Sequence, residues 1–146
     1  MANRVTQQYT RGQTIVLEGA LGDSTFRIIS GEVIICKKSE KGEQIPLAKL
    51  GQGEVFGEMY LFERNLTRTA TAIVLSNQVT LEVMPQEEVR SMMTPLHPAI
   101  NRIFEGLSLR LNKISRKYVH LLTSQKVSEE QFVGNKNSYI HRPPVD

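Results

Sequence analysis

The sequence predicts a mainly β domain, a sandwich or barrel of closely spaced strands, followed by helices. Three observations carry this. Eight of the ten glycines (12, 19, 22, 31, 42, 51, 53 and 57) precede residue 58 and separate short runs rich in Val, Ile, Thr and Phe. Glycine nearly disappears after Met84, where Pro85 and Gln86-Glu87-Glu88 supply the proline and acidic first turn of a helix start. Further on, apolar residues recur at Ile100, Phe104, Leu107, Leu111, Ile114, Tyr118 and Leu121, with spacings 4, 3, 4, 3, 4, 3.

The strands are expected over Thr14–Leu17, Thr25–Ile29, Glu32–Lys38, Gln44–Leu50, Thr69–Leu75 and Gln78–Met84. Ser39-Glu40-Lys41-Gly42 reads as a hairpin turn, since glycine takes positive φ without a side-chain clash. Pro46 cannot donate to a ladder, so its strand belongs at a sheet edge. A short helix should run to about Met93, and Pro98 should open a long one. Its heptad seam suits a homodimer through residues 98–122. Leu109, Val119 and Leu122 widen the stripe enough to keep open the other reading, a helix laid on its own domain. From Thr123 to Asp146 the pattern dissolves into polar residues, which predicts a flexible tail. The domain is therefore expected over 1–122, with the β part at about 9–84 and the helices at about 85–122.

Composition narrows the function classes. At 146 residues, with 40% hydrophobic and 23% charged side chains, the chain suits one globular core. The polar first ten residues lack the apolar stretch of a secretory signal, and no apolar run could span a bilayer, so a cytoplasmic location is expected with no membrane partner. A single cysteine, Cys36, rules out an internal disulfide and any multi-cysteine metal site, and beside Ile34 and Ile35 it reads as a small apolar filler. His97, His120 and His141 lack metal-ligand spacing, and no serine or cysteine has a recognisable activating partner. No cofactor, metal or catalytic residue is expected. Eighteen positive against fifteen negative side chains is close to balance. Arg110, Lys113, Arg116, Lys117 and His120 read as a solvated helix face, and DNA is not expected as a partner.

One segment carries chemistry. Phe56-Gly57-Glu58-Met59-Tyr60-Leu61-Phe62 looks like a turn entering a short helix, whose free amides attract an anion of phosphate size. Gly57 lets a ligand approach the backbone. Arg68 follows Glu58 by ten residues, where a returning loop could aim its guanidinium at the same anion. A carboxylate beside a phosphate site needs another task, and accepting a ribose hydroxyl is one. The plain alternative is a surface salt bridge between Glu58 and Arg68.

The order of the motifs resembles the cyclic-nucleotide-binding domain family, its catabolite-activator branch above all. Tyr9 to Ala70 follows that pattern through Glu18-Gly19, Ile29-Ser30-Gly31, Lys41-Gly42, Gly51-Gln52-Gly53 and Phe56-Gly57-Glu58, then Arg68-Thr69-Ala70. The resemblance implies a β-roll (a double-stranded β-helix or jelly roll), then a short helix and a long dimerisation helix that also caps the base. It further implies a phosphate-binding cassette in which Glu58 meets the ribose 2′-hydroxyl and Arg68 the cyclic phosphate, with Gly57, Met59 and Thr69 beside them. Val16, Ile35, Leu47 and Leu50 would line the pocket. Asn112 and Ser115 would meet the base, and Arg110 would reach Glu58.

Two positions depart from that pattern. Tyr60 stands where a small residue is usual, so its ring must turn outward or narrow the phosphate site, and Thr67 replaces a frequent proline. The function so implied is a non-enzymatic receptor for cyclic AMP or cyclic GMP that signals through its long helix to a protein effector. The alternative of the same fold is a docking or dimerisation module that needs no ligand or binds a cyclic dinucleotide. No helix-turn-helix pair follows Leu122 in this sequence.

Overall fold

The computed structural model describes residues 4–132, with side chains to residue 125. Its strands are β1 (Val5–Thr10), β2 (Thr14–Val16), β3 (Ser24–Ser30), β4 (Val33–Lys38), β5 (Gln44–Leu50), β6 (Val55–Phe56), β7 (Thr71–Val74) and β8 (Gln78–Pro85). Helices α1 (Gln86–Met93) and α2 (Pro98–Phe132) follow, and a four-residue 3-10 turn, Met59–Phe62, interrupts the strands.

The strands form two antiparallel four-stranded sheets, ordered β1-β8-β3-β6 and β2-β7-β4-β5. Period-two alternation explains their packing. On β3 Phe26 and Ile28 point inward while Arg27 points out, and on β8 Val79 and Leu81 point inward. Val33, Phe56, Ala72, Val74 and Val16 complete the core between the sheets. The outward Arg27 meets its neighbour across the ladder, donating from Nε to Glu82 at 2.6 Å, and Arg4 pairs with the same carboxylate at 2.9 Å.

All six expected strands are present, within about two residues at their ends. Two more were not expected. β1 is polar and mostly exposed, so no alternation marked it, and its place is set by the ladder to β8 from Val5↔Val83 to Thr10↔Gln78. β6 has only two residues, paired with Phe26 and Arg27. Pro46 does lie on an edge strand, β5, opposite a register shift between Ile35 and Cys36. Gly42 takes φ 85° in the hairpin, where its amide donates to Ser39 O at 2.9 Å.

α2 differs from expectation in two ways. Its backbone continues to Phe132, ten residues beyond Leu122 and into the segment expected as a tail, whose remainder lies outside the described residues. More informative is its orientation. The line Ser108, Asn112, Ser115, Val119 and Leu122 is buried or half-buried, whereas the heptad residues other than the half-buried Tyr118 face solvent, from 38% exposed at Ile100 to 62% at Ile114. One face of the helix therefore lies on the roll, as the second reading expects, while most of the heptad seam is open.

Candidate functional site

The cassette sits where β6 leaves its sheet and the chain returns to β7. Gly57 adopts φ 76°, and a Cβ there would lie 3.1 Å from Arg68 Nη1 and 3.3 Å from the Phe26 ring. Glycine is thus required by backbone angle and by the close passage of Arg68. Glu58 then caps the 3-10 turn with φ −89°. Four residues are too few to build a useful macrodipole, so the positive charge at this site comes from Arg68 and not from the expected helix N-terminus.

Arg68 is buried, with 6% of its side chain exposed. Its Nη1 donates to Gly57 O at 2.7 Å, and its Nη2 lies 3.8 Å from Asp23 Oδ1. Backbone bonds position the loop that carries it: Arg68 N donates to Ala20 O at 2.8 Å, and Gly19 N donates to Arg68 O at 2.9 Å. Glu58 and Arg68 form no ion pair among the described residues, so the surface salt bridge is not what these side chains make. Glu58 is exposed as a residue, and partial desolvation of its carboxyl raises its pKa above the usual carboxylate value of 4.5 against a lowering hydrogen bond with its own backbone.

Tyr60 does not turn outward. Its ring turns inward, 1% exposed, and becomes the floor beneath Arg68, whose guanidinium carbon lies 4.5 Å from the ring centroid. Gly22 makes room: a Cβ there would stand 2.4 Å from Tyr60 Cγ. Phe26 flanks the same guanidinium at 5.8 Å and stacks on Phe56. Both rings lie within cation–π range of the guanidinium. The Tyr60 phenol oxygen and Thr25 Oγ1 are buried and interact, but outside hydrogen-bond geometry.

The other expected residues divide. Thr69 Oγ1 donates to Met59 Sδ at 3.6 Å, which joins the two sides of the cassette. Val16 is buried, and Ile35, Leu47 and Leu50 are half-buried, with Ile35 and Leu50 packed on the core cluster. Ser115 is half-buried on the inward line of α2. Arg110 is not brought to Glu58. It is exposed, and its Nε donates to Gly106 O on its own helix at 3.1 Å.

Asn112 is buried and bridges two partners: Oδ1 accepts from Lys37 Nζ at 3.3 Å, and Nδ2 donates to Glu63 Oε1 at 3.1 Å. Lys37, Glu18 and Glu63 were not singled out as site residues by the sequence. The register shift between Ile35 and Cys36 breaks strand alternation, so Cys36 and the adjacent Lys37 are both buried, at 4% exposure each. Burial also raises the Cys36 thiol pKa.

Two cavities lie on other residues: about 320 Å³ around Arg4, Arg27, Gln52 and Glu82, and about 400 Å³ around Glu40, Arg116, Lys117 and His120. Among the described residues no group of three or more His, Cys, Asp or Glu side chains could hold a metal ion, and no helix is long and apolar enough to cross a membrane.

A roll of two sheets carries Glu58 beside Gly57, a buried arginine on a returning loop, and a long helix packed against it. Residues 6–95 match the cyclic nucleotide-binding domain, and the chain belongs to that family. It is 27% identical over 114 residues to the CRP-like cAMP-activated global transcriptional regulator of Mycobacterium tuberculosis, covering 78% of this chain and 50% of the regulator. Among solved structures, the cAMP-bound EAL enzyme Bd1971 superposes with TM-score 0.69 at 29% identity, over 88% of this chain and 33% of that one. The catabolite activator protein of Thermus thermophilus gives TM-score 0.61 at 26% identity, over 82% of this chain and 55% of the other. The chain thus spans half or less of the first two of these proteins. The two sheets, short helix and long helix are the β-roll arrangement of this family.

Proposed function

We propose that this chain is a non-enzymatic receptor for a cyclic mononucleotide, cyclic AMP foremost and cyclic GMP next. The observation that carries it is the Gly57–Arg68 pair, in which a buried guanidinium is held 2.7 Å from the carbonyl preceding Glu58. A fixed arginine fork suits two phosphate oxygens, and the adjacent carboxylate suits a ribose hydroxyl. Gly57, Met59 and Thr69 frame that contact. Val16, Ile35, Leu47 and Leu50 offer the apolar wall, with Asn112 and Ser115 on the helix side. The similar EAL enzyme has been seen in cAMP-bound and cGMP-bound forms, which supports this choice of ligands.

Output runs through α2. Its open heptad seam is a surface for a second copy of this chain, because the 4-3 spacing is self-complementary across a two-fold axis. A protein effector would then read the paired helices.

Calorimetric titration with cyclic AMP and cyclic GMP tests the site. Charge-assisted hydrogen bonds contribute about 1.5 to 3 kcal/mol each, so Arg68→Ala should weaken binding by roughly tenfold to a hundredfold or more. Arg68→Lys should not restore it, because an ammonium lacks the planar fork. Equal affinity of wild type and Arg68→Ala would refute the site.

A further inference from the structure

Lys37 is nearly removed from water, and its ammonium has three donors. Three acceptors meet it, and they come from three parts of the chain. Glu18 Oε1, from the turn after β2, lies 3.2 Å away; the backbone oxygen of Thr69 belongs to the cassette; and Asn112 Oδ1 of α2 lies at 3.3 Å. Glu18 is itself fixed on β4, since its Oε2 accepts from Lys38 N at 2.7 Å.

The Asn112 amide can be oriented in one sense only. Reversed, it would set an amino group against the ammonium and an oxygen against Glu63. Glu63 directly follows the 3-10 turn that Glu58 caps, and Thr69 directly follows Arg68. The chain Glu18–Lys37–Asn112–Glu63 therefore touches both flanks of the cassette and the inward face of α2. A buried cation is costly to leave short of partners, so displacing Thr69 or α2 strains the contact at the other end.

We propose that Lys37 is a positioning residue that makes the cassette and α2 move as one unit, with Asn112 as the helix end of the joint. The proposal rests on the cyclic-nucleotide reading for its ligand, and states how that ligand's presence is passed to the helix. Coupling of this kind is reciprocal: what the ligand does to α2, the position of α2 does to ligand affinity.

Hydrogen–deuterium exchange of the full chain tests it, read at residues 108–122 with and without saturating cyclic AMP. Lys37→Met removes the ammonium and keeps a linear side chain. Asn112→Leu cuts only the helix end and leaves Lys37 with Glu18 and Thr69, so it guards against a folding defect in the first variant. Without nucleotide, both should speed exchange in 108–122 by about tenfold, and the double variant should be no faster than either, because one joint is broken once. Independent structural effects would instead add. Saturating cyclic AMP should alter exchange in α2 of the wild type and leave it unaltered in Lys37→Met. Unchanged exchange in both single variants, additive effects, or a wild-type response retained in Lys37→Met would each overturn the joint. A wild type that takes up neither cyclic nucleotide would overturn the ligand reading, while the nucleotide-free comparison would still decide the joint.

Discussion

The guanidinium carbon of Arg68 lies 4.5 Å from the centroid of the Tyr60 ring, and the ring in turn occupies the space left by the missing side chain of Gly22. Arginine, tyrosine and glycine are therefore one packed unit. Tyr60→Ala should destabilise the domain by about 3 to 5 kcal/mol and weaken nucleotide binding, since Arg68 loses its floor. Tyr60→Phe keeps the floor and removes a buried hydroxyl without a proper partner, so its melting temperature should stay within a few degrees of wild type. Gly22→Ala alone should destabilise, and should do so much less in a Tyr60→Ala background, where the clash is gone. Thermal melts of the four variants check this, and additive losses would contradict it.

Gly57→Ala combines two costs. The residue sits at φ 76°, which disfavours any side chain by about 1 to 2 kcal/mol, and the new methyl presses on Arg68 and Phe26. Both stability and nucleotide affinity should fall. Denaturant titration together with calorimetry separates the two effects.

Burial raises the Glu58 carboxyl above 4.5, so the native state holds its proton to higher pH than the unfolded chain does. The sign follows from proton linkage: through the window from 4.5 up to the raised folded value, this group makes the domain less stable as pH rises. The stabilisation is complete below the unfolded value and lost above the folded one. Affinity runs the other way, because the ionised carboxylate is the better acceptor for a ribose hydroxyl. Glu58→Gln should flatten both dependences, and the difference between its pH profiles and those of wild type isolates the group.

Leu111 and Ile114 are 54% and 62% exposed on the open face of α2, away from the Asn112–Val119 line that lies on the roll. Leu111→Glu and Ile114→Glu should each weaken self-association by roughly tenfold to a hundredfold while leaving the roll's melting in dilute solution nearly unchanged. Sedimentation measured across concentration is the check.

Much of the fold was legible because its signals are local. Turn glycines and alternating runs located six strands, and Pro46 identified an edge before any pairing was seen. β1 and β6 escaped because one is polar and the other two residues long, and both exist through their partners β8 and β3. At the site, Gly57, Glu58, Arg68 and Thr69 were visible as a motif, and the structure brings Gly57 to Arg68 and Met59 to Thr69. Arg110 could not be judged from spacing, since its direction depends on how α2 is rotated on the roll. Lys37 was hidden by the register shift that makes two successive residues of β4 point away from solvent.

The sequence by itself determined six of the eight strands, the two helix starts and the Gly57–Arg68 motif, because backbone angles, strand alternation and a heptad are properties of neighbouring residues. The tertiary structure alone decided which face of α2 is covered, that Tyr60 turns under Arg68, and that Lys37 joins the cassette to the helix. Those outcomes depend on burial and hydrogen bonding between residues 8 to 75 positions apart, as from Tyr60 to Arg68 and from Lys37 to Asn112, where packing and desolvation choose among arrangements that local patterns leave equal.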